Sequence, residues 1–215
     1  MTKYQKMPSK QFEDLPDEDI LKIFSFLDIK DILKCSQVSK RLWLISKDES
    51  LWLKLNLFQR TVPSEFIQKA SENGCKYLSI AHGVFLQQGW KFEIPLNFKY
   101  LDISQDSKFE PSYYAVPNGL LENCYSLEKL SMEGLMLNED DFGHLAQIGQ
   151  TLKVLNLEAI CGRPYTNYGN CMEQLMKKCV QLTDLNFSNA LRDEYVTGWV
   201  FSNSDRYHSQ NSHLA

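Results

Sequence analysis

The sequence predicts an α/β protein in which a small all-α module precedes a repeating array of strands and helices. Two observations predict this class. Residues 15–57 carry large apolar side chains at helical spacing, and from residue 78 onward a pattern of apolar, any, apolar recurs five times. The strands are expected to lie parallel on one side of a right-handed arc and the helices on the other, with each unit packed against its neighbours.

The chain is predicted to contain four segments. These are a flexible start over 1–11, a helical module over 12–57, about five repeats over 58–190, and an irregular cap with a disordered tail over 191–215. Trp199, Val200 and Phe201 are expected to cover the open end of the array, because a terminal repeat otherwise exposes an apolar face. The polar residues after them favour disorder.

The helical module is predicted from one apolar stripe and several capping residues. Ile20, Ile23, Phe24 and Leu27 fall at i, i+3, i+4 and i+7, which places them on one face of a helix. Pro16 suits the first turn of that helix. Asp28 can cap a second helix over about 29–38, and Ser39 and Asp48 can cap the segments that carry Trp43 and Trp52. Helices this short need a packing partner, and their surplus of apolar side chains predicts an interface.

Five ordered motifs in this module resemble an F-box. They are Leu15-Pro16-x-Glu18, Ile23-Phe24-x-x-Leu27, Asp31-Ile32-Leu33, Val38-Ser39-Lys40-Arg41-Leu42-Trp43 and Asp48-Glu49-Ser50-Leu51-Trp52. The resemblance implies docking on the S-phase kinase-associated adapter protein and, through it, on the cullin of a ubiquitin ligase. Nine residues are expected at that adapter surface or in the core behind it: Leu15, Pro16, Ile20, Ile23, Phe24, Leu27, Leu33, Val38 and Trp52.

The strand pattern predicts leucine-rich repeats. Its five copies are Leu78-x-Ile80, Leu101-x-Ile103, Leu130-x-Met132, Leu155-x-Leu157 and Leu185-x-Phe187. Successive first leucines are 23, 29, 25 and 30 residues apart, which is close to the usual period of such repeats. Side chains alternate along a strand, so the apolar pair should point inward and its neighbours outward. The expected client-binding row is Asp102, Ser131, Glu133, Asn156, Glu158, Asn186 and Ser188, whose carboxylates would favour a basic client.

The segments between the strands read as helices and loops. Ser64 can cap a helix over 65–70, Pro117 starts a turn that carries Leu120 and Leu121, Asn138 can cap a helix over 139–148, and Met172, Leu175 and Met176 form the stripe of another. Segments 105–117 and 161–169 are predicted loops. Their tyrosines, Tyr113, Tyr114, Tyr165 and Tyr168, suit either a binding surface or the cover of an exposed repeat end.

Cysteine and charge patterns exclude several classes. Cys124 and Cys179 each precede a repeat leucine by three residues, which resembles the cysteine-containing class of leucine-rich repeat. The resemblance implies small buried thiols at helix ends, and we expect all six cysteines to be free. No metal-ligand spacing and no catalytic constellation stands out, so we expect neither a cofactor nor an enzyme. The net charge of −4 disfavours a nucleic-acid partner, and no apolar run is long enough for a membrane span or signal peptide.

The chain from about 12 to 190 resembles the F-box and leucine-rich-repeat proteins. The resemblance implies a substrate receptor of a cullin–RING ligase that presents a client, phosphorylated or not, for ubiquitination and proteasomal degradation in the nucleus and cytoplasm, with a cell-cycle role. The shortened array leaves an alternative open: a scaffold or competitor that occupies the adapter without presenting a client. A splice form or an incomplete sequence would also account for the short array.

Overall fold

The computed structural model describes residues 12–86, 92, 94–105, 116–117, 119–162 and 167–190. The chain divides after Leu53 into two compact units. The first unit contains a short 3-10 helix at Phe12–Asp14 and helices α1 (Asp17–Phe24), α2 (Ile29–Cys35), α3 (Lys40–Ile45) and α4 (Glu49–Trp52). The second unit contains the strands and the remaining helices.

The helices of the first unit begin where capping side chains are available. Asp28 accepts hydrogen bonds from the amides of Lys30 and Asp31 at 2.8 and 3.1 Å, which confirms its predicted role. The Ser39 hydroxyl and the Asp48 carboxylate cap α3 and α4 in the same way. Such caps satisfy amides that have no partner within the helix. Two details differ: Pro16 lies at the N-cap rather than in the first turn, and α2 ends at Cys35.

A small apolar core holds the first unit together. Its buried side chains are Ile20, Phe24, Ile32, Ile45, Leu51 and Trp52. The indole N–H of Trp52 donates to the Ser46 carbonyl oxygen at 2.7 Å, so the ring is both packed and hydrogen-bonded. Arg41 joins α3 to the start of α1 because its guanidinium pairs with Asp17 at 2.7 Å and donates to the Leu15 carbonyl oxygen.

The second unit is organised around a six-stranded parallel sheet. Its strands, in spatial order, are β1 (Lys54–Asn56), β3 (Tyr77–Ser79), β5 (Tyr100–Asp102), β6 (Lys129–Ser131), β8 (Val154–Asn156) and β10 (Asp184–Asn186). Each central leucine pairs in register with the next, from Leu55 through Leu185. The strands lie side by side in chain order, and helices connect several of them.

The sheet has one strand more than the sequence pattern predicts. The five predicted strands are present, and β1 adds a sixth, although it lies within the predicted helical module. Leu55-x-Leu57 carries the same apolar pattern as the other five. Leu55 precedes Leu78 by 23 residues, so the period itself could have revealed it. The Leu57 amide donates to the Ser79 carbonyl oxygen at 2.7 Å and continues the ladder beyond the strand.

A sharp turn follows most of these strands. The fourth residue after the central leucine has a positive φ at Gln59, His82, Gly134, Ala159 and Asn189. The amide of each of the first four donates to a carbonyl of the next repeat, as from His82 to Ser104 at 2.7 Å. Two short parallel pairs follow: β2 (Thr61–Pro63) with β4 (Val84–Leu86), and β7 (Met136–Leu137) with β9 (Cys161–Gly162).

In the described part of the second unit, three α-helices connect strands, namely α5 (Ser64–Glu72), α6 (Glu139–Ile148) and α7 (Tyr168–Lys178). Asn138 and Asp141 form a reciprocal capping box at α6, which confirms the predicted start of that helix. The predicted cap of α5 is wrong: Ser64 is its first residue, it is buried, and Pro63 takes the N-cap position. A 3-10 turn at Leu121–Asn123 replaces a helix before β6.

The buried thiols lie where helices end. Cys124 and Cys179 are the C-cap residues of the 3-10 turn and of α7, and both are buried, as predicted. Burial raises the pKa of Cys124 to about 12 and that of Cys179 to about 11. Buried Cys75, just after α5, likewise has its pKa raised to about 11 by burial. These thiols are therefore protonated near neutral pH and pack as small apolar groups.

The predicted loop over 161–169 is wrong at both ends, because Cys161 and Gly162 form β9 and α7 already begins at Tyr168. Tyr168 is the first residue of α7, is buried, and donates its hydroxyl hydrogen to the Leu137 carbonyl oxygen at 3.1 Å. Its ring meets that of Phe142 edge to face, so it anchors α7 on α6 rather than forming part of a binding loop. Tyr113, Tyr114, Tyr165 and the predicted cap at 199–201 lie outside the described residues.

Candidate interaction surfaces

The first unit exposes eight large apolar side chains among its described residues. Phe26 and Val38 are 80% and 76% exposed, and Trp43, near the middle of α3, is 50% exposed. Phe12, Ile23, Leu27, Leu44 and Leu53 are also exposed. Exposed apolar side chains mark a protein interface where they join into one patch. The predicted surplus is therefore present in the structure.

The nine predicted adapter residues fall into two groups. Ile20, Phe24 and Trp52 are buried and hold the helices together, so the folded unit does not present them to a partner. Pro16, Ile23, Leu27 and Val38 are exposed, whereas Leu15 and Leu33 are half-buried. The apolar stripe of α1 contains buried residues, Ile20 and Phe24, and an exposed one, Ile23. The middle of the stripe packs on the other helices, and its edge faces solvent. Periodicity alone does not separate the two.

Sequence reasoning left three strongly exposed residues out of the predicted surface. They are Phe26, Trp43 and Leu44. A signal was available in α3, where Leu42, Trp43, Leu44 and Ile45 follow one another. Successive helical residues are turned by about 100°. A six-residue helix therefore cannot bury all four of these side chains on one face, and at least one large side chain has to point outward.

A cleft of about 450 Å³ lies between α1 and α3. Leu21, Leu44 and Ile45 provide apolar walls, and Asp17, Glu18, Lys47 and Asp48 provide its polar lining. The Lys47 ammonium lies 5.6 Å from the centroid of the Trp43 ring. An apolar depression with charged edges is suited to receive an apolar side chain of a partner helix or loop.

The four helices of the first unit lie within a segment that matches a known family model. Residues 12–57 match the family model described as F-box-like. Residues 12–57 form an F-box-like domain. A stretch of 51 residues is also 45% identical to F-box protein dre-1 of Caenorhabditis elegans, covering 23% of this chain and 5% of that protein. The chain thus spans a small fraction of the curated relative, and the likeness is confined to the length of one domain.

The predicted client row lies on the side of the sheet opposite the buried leucines. Asp102, Ser131, Asn156 and Asn186 each follow a central leucine and are partly exposed, while Ser188 is exposed. Many of these polar groups bond to one another: the Ser131 and Ser104 hydroxyl oxygens are 2.8 Å apart, and Asn156 donates to Ser131 at 3.1 Å. Much of the row is therefore a structural network along the sheet.

The carboxylates of that row are also partly engaged. Glu158 accepts hydrogen bonds from Asn186 and Asn189 at 2.9 and 3.4 Å. Asp102 accepts from Ser79 at 3.1 Å and from the Tyr100 hydroxyl at 3.4 Å. Burial, followed by the charge of Asp102, raises the pKa of Tyr100, so its hydroxyl remains a donor across the physiological range. Glu133, in the same row, is half-buried.

The amino-terminal end of the strands has a different character. Glu128 lies between Lys99 and Lys153, at 3.2 and 2.8 Å from their ammonium nitrogens. Hydrogen bonds from Lys153 and then Lys99 lower the pKa of Glu128. Sequence reasoning did not single out this lysine-rich end, because its residues are far apart in the chain and only the sheet brings them together.

No group of three or more His, Cys, Asp or Glu side chains within the described ranges is placed to hold a metal ion. Among the helices that the structure describes, none has both the length and the apolarity needed to cross a membrane.

Proposed function

We propose that this protein is a substrate-recognition subunit of a cullin–RING ubiquitin ligase. The observation that carries the proposal is the F-box-like match over residues 12–57, within which Phe26, Val38 and Trp43 are exposed. The S-phase kinase-associated adapter protein covers that apolar surface and connects the chain to cullin. No catalytic group of this chain takes part: the protein holds the client close to the transfer machinery, which makes the transfer effectively unimolecular.

The finer features of the proposal concern the second unit. Six in-register parallel strands at spacings of 23 to 30 residues, with leucines inward, support a leucine-rich-repeat solenoid that binds the client. Within the F-box and leucine-rich-repeat proteins, the segment Leu130–Leu137 and the motif Leu101-Asp102-Ile103-Ser104 support a likeness to S-phase kinase-associated protein 2. A place in the nucleus and cytoplasm, a cell-cycle role and a phosphorylated client belong to the same proposal.

A matched pair of valines tests the adapter surface. Val38 in the F-box-like domain and Val180 in the second unit are both 76% exposed. Val38→Ser should weaken binding of the full chain to the purified adapter by about tenfold, which is the effect of an interface anchor worth more than 1 kcal/mol. Val180→Ser should change it less than about twofold. Isothermal titration calorimetry measures both, and equal affinities for the two variants would remove Val38 from the surface.

A second experiment separates the receptor from the alternative, a scaffold or competitor. The chain is co-purified with the adapter, the cullin and the RING subunit. The proteins that coprecipitate with this complex are then tested for attached ubiquitin. A receptor yields ubiquitinated clients that disappear when the second unit is deleted from the complex. Adapter binding without any ubiquitinated client would favour the competitor, and failure to bind the adapter would eliminate both functions.

A further inference from the structure

A row of four side chains crosses the amino-terminal end of the sheet. Lys54, Tyr77, Tyr100 and Lys129 occupy paired positions on β1, β3, β5 and β6. Each immediately precedes a buried central leucine, so the four lie on the opposite side of the sheet from the core. Lys54, Tyr77 and Lys129 are exposed, and Tyr100 is half-buried. We name these four residues the Lys–Tyr row.

Positive charge is concentrated at this end of the sheet, although the chain as a whole carries −4. Each of the six strands has two residues directly before its central leucine. Together these positions hold five lysines and two acidic residues, Glu128 and Asp184. The five lysines are Lys54, Lys76, Lys99, Lys129 and Lys153. The opposite end of the sheet is formed by the first and third residues after each central leucine. These positions hold Asp102, Glu133 and Glu158, and none of them is a lysine or an arginine. The sheet therefore presents one basic and one acidic edge.

The lysines at the two ends of the row are available to a ligand. Within the described ranges neither Lys54 nor Lys129 lies in an ion pair, whereas Lys99 and Lys153 share Glu128. The Lys54 ammonium lies 5.4 Å from the centroid of the Tyr77 ring, which holds the long side chain against the face of the sheet. The Tyr100 hydroxyl bonds to Asp102, which orients the second ring.

The dimensions of the row suit an extended peptide. Three strand intervals separate Lys54 from Lys129, which at about 4.8 Å each is about 14 Å. An extended chain advances about 3.3 Å per residue, so about four residues cover that distance. Side chains at i, i+2 and i+4 of such a chain point the same way. The outer two would meet the lysines, and the middle one would meet the tyrosines.

We propose that the Lys–Tyr row binds an extended acidic segment of the client, with carboxylate side chains at i and i+4 and an apolar side chain at i+2. The inference rests on the proposed function, because it specifies the client of the same sheet. It replaces the basic client that Glu133 and Glu158 suggested from sequence. Tyrosines supply contact area at a small cost in side-chain entropy, and the lysines match the charge of the segment.

The test uses the full chain and a fluorescein-labelled peptide with glutamates at i and i+4, leucine at i+2, and serines between. Fluorescence anisotropy should show binding that weakens with added salt, since the charged contacts are exposed. A peptide with glutamine in place of both glutamates should bind at least fivefold more weakly. A peptide with lysine in those places should not bind measurably.

A matched pair of double variants locates the site. Lys54→Gln with Lys129→Gln removes both lysines of the row, and Lys69→Gln with Lys178→Gln removes two exposed lysines on helices α5 and α7. The first pair should weaken binding about fivefold, since two exposed ion pairs are lost, and the second less than about twofold. Both pairs remove the same charge, so a difference between them reports position. Circular dichroism checks that both remain folded.

Several outcomes would overturn the inference. The first is equal affinity of the protein for the glutamate and glutamine peptides. The second is equal affinity of the two double variants for the glutamate peptide. The third is displacement of the peptide by an equimolar single-stranded oligonucleotide, which would identify a nucleic-acid groove instead. The Lys54/Lys129 variant should still bind the adapter, and Val38→Ser should still bind the peptide. If the unchanged protein binds the adapter but not the acidic peptide, the Lys–Tyr row is refuted and the proposed function is left intact.

Discussion

The two tryptophans of the F-box-like domain provide a sharp test of how that domain divides its apolar residues between core and surface. Trp52 is 1% exposed and donates to the Ser46 carbonyl oxygen, whereas Trp43 is 50% exposed and lies beside Lys47. We predict that Trp52→Phe destabilises the domain and that Trp43→Phe does not. The same chemical change is made at both positions, so the environments account for the difference.

The expected size follows from the contacts. Trp52→Phe leaves the buried Ser46 carbonyl without its indole donor, which costs about 1–3 kcal/mol. A domain of this size has a total stability on the order of 2–6 kcal/mol, so the variant is weakened but still mostly folded. Trp43→Phe alters one cation–π contact at an exposed site, about 0.5–1 kcal/mol at most. Trp52→Ala would remove about 3–5 kcal/mol and unfold the domain.

Hydrogen exchange on the full chain, followed by mass spectrometry, reports the two units separately. Amides of α1 to α4 in Trp52→Phe should exchange about five- to a hundredfold faster than in the unchanged protein, since about 1.4 kcal/mol corresponds to tenfold. Amides of β6 and β8 serve as the internal control and should not change. Equal acceleration by the two variants would refute the division, as would a loss of adapter affinity in Trp52→Phe without any change in exchange.

Three further predictions concern the second unit. Gly149→Ala should destabilise it by about 1–3 kcal/mol in urea unfolding, because the added Cβ would lie 2.8 Å from the Cys179 sulfur and 3.1 Å from the Lys178 carbonyl carbon. Gly143→Ala places its new Cβ where no atom lies within 4 Å, so it should instead stabilise α6 by about 0.5–1 kcal/mol. If both variants changed the free energy of unfolding in the same direction, the packing described here would be contradicted. Cys75, Cys124 and Cys179 should resist alkylation by iodoacetamide at pH 8 until the fold opens, and rapid alkylation without unfolding would refute their burial. Folding raises the pKa of these thiols from 9.0 to about 11 or 12. Their contribution to the free energy of unfolding is therefore constant below about pH 9 and falls as the pH rises further. Asn138→Ala should cost about 1 kcal/mol by removing the capping box of α6, and an unchanged denaturation midpoint would show that the cap contributes nothing.

The local features of the fold could be read from the sequence because their causes lie within a few residues. Asp28, Ser39, Asp48 and Asn138 cap helices through amides two or three positions away. The strands follow from leucines that recur at the period of the repeat. Where a local signal was ambiguous, the prediction failed: Ser64 competed with Pro63 for the cap of α5, and Tyr168 resembled a loop tyrosine until its contact with Leu137 placed it in a core.

The sequence alone determined the order of elements, the inward leucines and the F-box resemblance, since each depends on spacing along the chain. The tertiary structure decided which apolar side chains of the short helices are buried, that Leu55 begins the sheet, and that Lys54, Tyr77, Tyr100 and Lys129 form one row. Burial and charge alignment depend on neighbours 20 or more residues away, as the bond from Arg41 to Leu15, 26 positions apart, illustrates. Such neighbours are set by packing of the whole unit, which periodicity does not encode.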